Sequence, residues 1–190
     1  MPVDLSRYEA RAFDRGASRL KEALWLLVSF FLFRLCPLKL SVLKCWVLRR
    51  FGAHVGRGVV IKPQVKITFP WRLTLGDHVW LGEEAWVLNL APVRLDNDVC
   101  VSQRVFICAG NHDYRSPAFK LVTEPIRIES GAWLAAGSLV GPGVSVGTHA
   151  VLSAGSVATT NLEPYGVYQG NPARLIRKRT IEDSPTGSLS

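Results

Sequence analysis

Cysteine is scarce in this sequence and unpaired: Cys36, Cys45, Cys100 and Cys108 form no C-x-x-C motif, and three of the four stand in apolar runs. Reduced thiols pack there as small hydrophobes, which argues against a disulfide framework or a zinc knuckle and for a reducing cytoplasm. A secretory signal is missing as well. The N-terminus opens with Asp4, Arg7, Glu9 and Arg11, and the apolar run from Leu24 to Phe33 lacks a small-residue cleavage site, so the mature chain is expected to begin here. That run also falls well short of the roughly 20 residues that span a bilayer. Neither a helix-turn-helix nor a single-strand-binding module is visible, and the basic residues gather at the two ends, so nucleic acid is not an expected partner. Acidic residues are the minority: 15 Asp and Glu face 23 Lys and Arg, a formal net charge of +8 that suits a phosphate-rich cofactor or a phospholipid surface.

What is present is a period of six. From Val55 an aliphatic residue recurs at Ile61 and Ile67, restarts after a two-residue slip at Leu75, Leu81 and Val87, and restarts again at Leu95, Val101 and Ile107. After an excursion from Asp113 to Pro125 the pattern is cleanest, with Ile128, Leu134, Val140, Val146 and Leu152 heading five successive hexapeptides. A period of six fits neither the 3.6 of an amphipathic helix nor a long two-residue alternation, but it fits short strands joined by tight turns, three to a triangular coil. Coils stacked at about the 4.8 Å strand spacing would turn the aliphatic residues into an internal ladder, with a small or apolar residue four places on filling the narrow interior. Gly, Asp and Asn at the second to fourth places tolerate the dihedrals of a corner. The expected fold is an all-β solenoid, a left-handed parallel β-helix over residues 53–178, rather than an ordinary sandwich with frequent turns.

Residues 1–52 read differently. Leu20, Ala23, Leu24, Leu27, Val28, Phe31, Leu32 and Leu35 recur at helical intervals up to Pro37, and the other face of that helix is apolar too. A second helix over 38–51 mixes Leu40, Val42, Leu43, Trp46, Val47 and Leu48 with Lys39, Lys44, Arg49 and Arg50. Such an apolar helical hairpin suits either peripheral contact with the inner membrane face or a cap over the open end of the β-helix that packs on a neighbouring subunit. Residues 179–190 form a polar tail expected to be disordered.

The chemistry enters through a resemblance. In Trp133, in Gly155-Ser156-Val157 and in the closing Gly170-Asn171-Pro172-Ala173-Arg174, the second half of the chain resembles the maltose and galactoside acetyltransferase branch of the hexapeptide acyltransferases. The first half is similar to the O-acetyltransferases of colanic acid and other exopolysaccharide biosynthesis, through Phe69-Pro70-Trp71, Leu75-Gly76-Asp77-His78, Asn89-Leu90 and Gly110-Asn111-His112-Asp113-Tyr114. Together these cover roughly residues 24 to 178. The resemblance implies a cytoplasmic homotrimer that transfers acetyl from acetyl-CoA to a hydroxyl of a sugar or lipid-linked glycan, with no metal. An alcohol needs a base as it attacks a thioester, and histidine suits that role at neutral pH. The matching catalytic position is His112, placed just before the excursion, whereas His54, His78 and His149 read as turn residues of the repeat.

The same resemblance implies a cofactor groove at Ala136, Ala154, Thr159, Thr160, Arg174 and Arg177, with the two arginines meeting the cofactor phosphates; Trp133 is expected against the cofactor arm or the acceptor sugar, and Asn89 or Asp113 would orient the imidazole or the acceptor hydroxyl. The carboxylate that follows the acceptor asparagine in the galactoside enzymes has no match near Asn89, so the acceptor is not expected to be a free galactoside. Two other readings stay open on the sequence alone. A zinc carbonic anhydrase on the same β-helix would need three histidines at one metal. A non-enzymatic scaffold would use the basic hairpin and tail at a membrane surface.

Overall fold

The computed structural model describes residues 2–8, 13–36 and 40–182, so Pro37 and the tail from residue 183 onward lie outside the described residues. The body is a parallel β-solenoid. Its first coil runs through β1 (His54–Val55), β2 (Val60–Ile61) and β3 (Lys66–Ile67), and its second through β4 (Leu73–Leu75), β5 (Trp80–Leu81) and β6 (Trp86–Leu88). The third is β7 (Val93–Leu95), β8 (Cys100–Val101) and β9 (Phe106–Cys108), followed by an antiparallel hairpin of β10 (Gly110–His112) and β11 (Leu121–Thr123). Coils four and five are β12 (Ile126–Ile128), β13 (Trp133–Leu134) and β14 (Leu139–Val140), then β15 (Ser145–Val146), β16 (Val151–Leu152) and β17 (Val157–Ala158). A partial sixth begins with a bridge between Val146 and Leu162 and ends in β18 (Gly166–Gly170), against which β19 (Ala173–Lys178) folds back antiparallel.

Three parallel sheets result. The first face stacks β1-β4-β7-β12-β15, the second β2-β5-β8-β13-β16-β18 and the third β3-β6-β9-β14-β17. The expected ladder is the core. Ile61, Leu81, Val87, Leu95, Ile107, Ile128, Leu134, Val140, Val146 and Leu152 are all fully buried, and the residues four places on, such as Val65, Val79, Ala85, Ala132 and Ala150, fill the space between them. Corners are turned at positive φ by Gly58, His78, Asp98, Gly131 and His149 in successive coils. His54 departs from its expected turn position: it lies in β1, paired with Thr74, because the count starts one strand before the first corner.

The two-residue slips have a common place in space. Inward aliphatics are six apart along most of the chain, yet Ile67 to Leu75 and Val87 to Leu95 are eight apart, and both intervals cross from the third face to the first. The excursion after Ile107 leaves from the same edge. This corner is therefore wider than the other two in the first three coils, and it carries every insertion. The excursion, expected as a loop, is the β10–β11 hairpin, because Gly110, Asn111 and His112 find ladder partners in Thr123, Val122 and Leu121.

The first coil has no coil beneath it, and the helices close it. From α1 (Arg19–Ser29), Trp25 donates its indole N–H to the Ile67 carbonyl at 3.0 Å. From α2 (Ser41–Arg50), Lys44 donates to the Ile61 and Lys62 carbonyls at 3.4 and 3.1 Å, and Arg49 to those of Val55 and Gly56 at 3.0 and 2.8 Å. Edge carbonyls of all three faces thus receive donors, which removes the unpaired edge that a sheet end otherwise presents. Lys44 is fully buried, and that burial pushes its ammonium below the usual lysine range, with Cys36 opposing the shift.

The first helix differs from its expected form. Its α-helical hydrogen bonding gives way to a π-helical turn over Phe30–Leu35, where the Cys36 N–H reaches the Phe31 carbonyl at 3.1 Å. Only Trp25 and Phe33 are buried, while Leu20, Leu26, Leu27, Phe31 and, on α2, Val42 and Trp46 face outward. At the far end Arg179, expected to open a disordered tail, is held: its N–H meets the Tyr165 carbonyl at 2.6 Å, and its guanidinium the Gly131 and His149 carbonyls at 3.1 Å. Removing one rung of the ladder tests this core. Leu81→Ala should lower the unfolding free energy by about 2–5 kcal/mol, because the close-packed interior cannot collapse onto the cavity, and a reduced denaturation midpoint in guanidinium would report it.

Candidate active site

His112 ends β10, and the hairpin holds it from both sides. Its Nδ1 lies 2.8 Å from the Phe119 carbonyl oxygen, its backbone N–H donates to the Asn111 side chain at 2.8 Å, and its ring stacks on Phe119 with centroids 4.4 Å apart. A carbonyl only accepts, so in neutral imidazole Nδ1 carries the hydrogen and Nε2 keeps the free lone pair. On its other side Tyr8, from the segment ahead of α1, meets the ring edge-on at 5.7 Å. Asp113 does not pair with His112. Its carboxylate accepts from the Arg115 N–H at 3.0 Å, and its own N–H donates to the Lys120 carbonyl, so it shapes the turn of the hairpin.

Asn89 sits on the same wide corner, one coil before the hairpin, but its amide is spent. The side chain is fully buried, its Oδ1 accepts from the Phe69 N–H at 2.9 Å and its Nδ2 donates to the Phe69 carbonyl at 2.5 Å. The amide forms a clip between coils: the corner has two extra residues in each of these coils, and the amide supplies the pairing that the broken ladder there lacks. Arg72, one coil below, is largely buried against the stacked rings of Phe13 and Phe69 and donates to the carbonyls of Leu90 and Asp14.

The expected cofactor positions are spread over the prism. Ala136 and Ala154 occupy the corner between the second and third faces in consecutive coils, joined by the Gly155 N–H to the Ala136 carbonyl at 2.9 Å. Both are exposed. The neighbouring Gly137 and Gly155 have positive φ, and a Cβ on either would meet nothing within 4 Å, whereas one on Gly131 would strike the His149 ring. An open channel thus runs up this corner. Trp133 stands on the second face, 42% exposed, its indole N–H fixed on the Ser102 hydroxyl at 2.9 Å. Thr159 and Thr160 are exposed on the wide corner beyond β17, and Arg174 and Arg177 are exposed on β19 at the end of the second face. Within one chain the structure does not bring the Ala136–Ala154 corner and His112 together, since they belong to different edges of the triangle. Among the described residues no three His, Cys, Asp or Glu side chains are grouped so that they could hold a metal ion.

The chain is 38% identical over 176 residues to the "Putative colanic acid biosynthesis acetyltransferase WcaF" of Escherichia coli, an alignment covering 93% of this chain and 97% of that protein. It belongs to the hexapeptide-repeat acetyltransferases. No family model matches the chain. Solved structures give the same fold: a hexapeptide-repeat acetyltransferase of Vibrio cholerae in complex with acetyl coenzyme A, at a TM-score of 0.72 and 23% identity over 84% of this chain and 86% of that one. A galactoside acetyltransferase in complex with coenzyme A superimposes at a TM-score of 0.74 with 20% identity, covering 89% of each chain.

For this acetyltransferase the residues that the sequence missed are Tyr8, Arg72, Phe119 and Lys120, all gathered around the wide corner. Arg72 directly follows Phe69-Pro70-Trp71 in the first slip, and Phe119 is the lone phenylalanine of the excursion, so position within the insertions was the available signal. Tyr8 had none, because nothing in the repeat foretells where the first residues return. The placement of Asn89 separates two roles. Asn89→Ala should lower stability by about 1–3 kcal/mol through the unpaired Phe69 backbone groups. Chemical denaturation and steady-state kinetics together check this, and a raised acceptor KM at unchanged stability would restore the acceptor contact.

Proposed function

We propose that this acetyltransferase moves the acetyl group of acetyl-CoA to a hydroxyl of a sugar acceptor in exopolysaccharide or surface-glycan biosynthesis, with His112 as general base. The observation that carries the reading is the contact of His112 Nδ1 with the Phe119 carbonyl, which leaves Nε2 as the proton acceptor and fixes the ring by stacking. The hydroxyl proton passes to Nε2 as the oxygen attacks the thioester carbon, a C–O bond forms and the carbonyl becomes an oxyanion. The oxyanion collapses, the C–S bond breaks, and the CoA thiolate leaves with the proton that His112 returns. Direct transfer in a ternary complex needs no covalent acyl-enzyme.

The donor side rests on the open corner. Neither Ala136 nor Ala154 engages its N–H with an acceptor among the described residues, so both are available to the pantetheine arm, and the one at Ala136 to the oxyanion. Trp133 offers its exposed indole face to the same arm, Thr159 and Thr160 offer hydroxyls at the wide corner, and Arg174 and Arg177 supply guanidinium groups for the phosphates. His112 and the Ala136 corner lie on different edges of one chain, so a complete site requires a second copy alongside. This supports the homotrimer, in which each His112 would face a neighbour's cofactor groove.

Loss of the base should lower kcat by about 10²–10⁴-fold in His112→Ala. Isothermal titration should show acetyl-CoA binding retained in that variant and weakened in Arg174→Ala/Arg177→Ala; full turnover in His112→Ala would sink the assignment.

The outward apolar residues of α1 and α2, flanked by the exposed Arg19, Arg34, Arg49 and Arg50, support peripheral contact of a cytoplasmic enzyme with the inner membrane face. No helix among the described residues is long and apolar enough to cross a membrane. Flotation with anionic phospholipid vesicles should carry the protein upward and Leu27→Glu/Trp46→Glu should abolish this, whereas an unchanged variant would assign these faces to another surface.

A further inference from the structure

The described residues ahead of α1, 2–8 and 13–18, lie along the wide corner as a strap. The Asp4 N–H donates to the Pro117 carbonyl at 2.8 Å, Tyr8 meets His112, and the Asp14 and Arg15 carbonyls accept from Arg72 and from the Trp71 indole at 2.5 and 2.8 Å. Between strap and hairpin lies a cavity of about 620 Å³, inside the range of roughly 300–1,000 Å³ typical of small-molecule sites. Arg7, Tyr8, Phe13 and Asp14 line it from the strap, Arg72 from its floor and Lys120 from the hairpin.

Among the described residues the charge of these walls is one-sided. Arg7 and Lys120 are exposed and form no ion pair among the described residues. Arg72 lies against the stacked rings of Phe13 and Phe69, and its two described hydrogen bonds leave further N–H donors of its guanidinium free. Asp14 opposes them weakly: its carboxylate is 91% exposed, 4.0 Å from Arg72, and accepts from the Gly16 N–H. Among the described residues, three cations against one solvated carboxylate match a group carrying two negative charges better than a single carboxylate. Tyr8 and Phe13 add apolar ring faces of the kind a sugar packs on, and Tyr8 touches the ring of the proposed base.

We propose that the acceptor is a glycosyl phosphate or diphosphate, its anionic ester held by Arg7, Arg72 and Lys120 and its sugar laid against Tyr8 and Phe13 beside His112. This rests on His112 being the base. The shared chemistry is the phosphate ester, which a nucleotide sugar and a lipid-linked sugar both carry.

The test is isothermal titration of the full chain, first saturated with CoA so that the donor groove is filled, with uridine diphosphate, geranyl diphosphate and glucuronate as probes. At least one diphosphate should bind, and binding should weaken tenfold or more in Arg7→Ala/Lys120→Ala and in Arg7→Gln/Lys120→Gln. A preference for uridine diphosphate would point to a nucleotide sugar, and one for geranyl diphosphate to a lipid-linked acceptor. Binding of neither diphosphate, binding retained by both double variants, or tighter binding of glucuronate would overturn the proposal. The CoA titration that precedes the probes reports separately on the donor reading and on the fold of each variant.

Discussion

Everything in this structure depends on backbone hydrogen bonds made between coils rather than within them. Each strand of the first five coils has two or three residues and could not persist alone, since a strand pair is marginal even at greater length. Stability comes from stacking: the N–H and C=O groups of one coil meet those of the next, and the aliphatic rungs, Leu81 over Ile61 and Val101 over Leu81, bury one another in register. A stack has two ends, and both must be closed. The helices close one by aiming Trp25, Lys44 and Arg49 at the carbonyls of the first coil, and β19 closes the other by folding back on β18. Donors from long side chains replace the missing coil, which explains a fully buried lysine in a chain with little other reason for one.

The same constraint locates the site. A coil can absorb extra residues only where the chain leaves one sheet for the next, and here only one corner does so in the first three coils. The two-residue insertions at Phe69–Arg72 and Asn89–Pro92 interrupt the ladder, and the Asn89 amide repairs it by bonding Phe69 through both of its polar atoms. The largest insertion becomes a hairpin because Gly110 to His112 can pair with Leu121 to Thr123. Repetition thus supplies a rigid prism, and departures from repetition, all on one edge, carry the polar and aromatic groups around His112.

The other edge is plain by comparison. Small residues and open glycines at Ala136–Gly137 and Ala154–Gly155 leave a smooth channel, suited to an extended cofactor arm rather than to a shaped pocket. Separating a channel on one edge from a histidine on another makes a neighbouring copy part of the proposed site. The strap adds a third contribution, bringing Arg7 and Tyr8 to the hairpin from the opposite end of the chain.

Much of this was legible in the residues. The period of six placed the buried ladder from Ile61 to Leu152, because side-chain size recurs in local order along the chain, and the family resemblance offered His112 as the candidate base. Other features were not. His54 was read as a corner residue and is a strand residue, and the buried clip that the Asn89 amide makes with Phe69 was not foreseen. The apolar helix was read as one continuous element, yet it changes its hydrogen bonding at Phe30 and keeps most of its apolar side chains outside. Tyr8 gave no sign of meeting His112. The sequence by itself determined the repeat, the ladder and the edge where insertions fall, since side-chain size and turn preference act between near neighbours. Only the tertiary structure decided which polar groups are spent on the chain's own backbone and which stand free around the histidine, since that depends on which coil lies above which and on where the chain's first residues come back to rest.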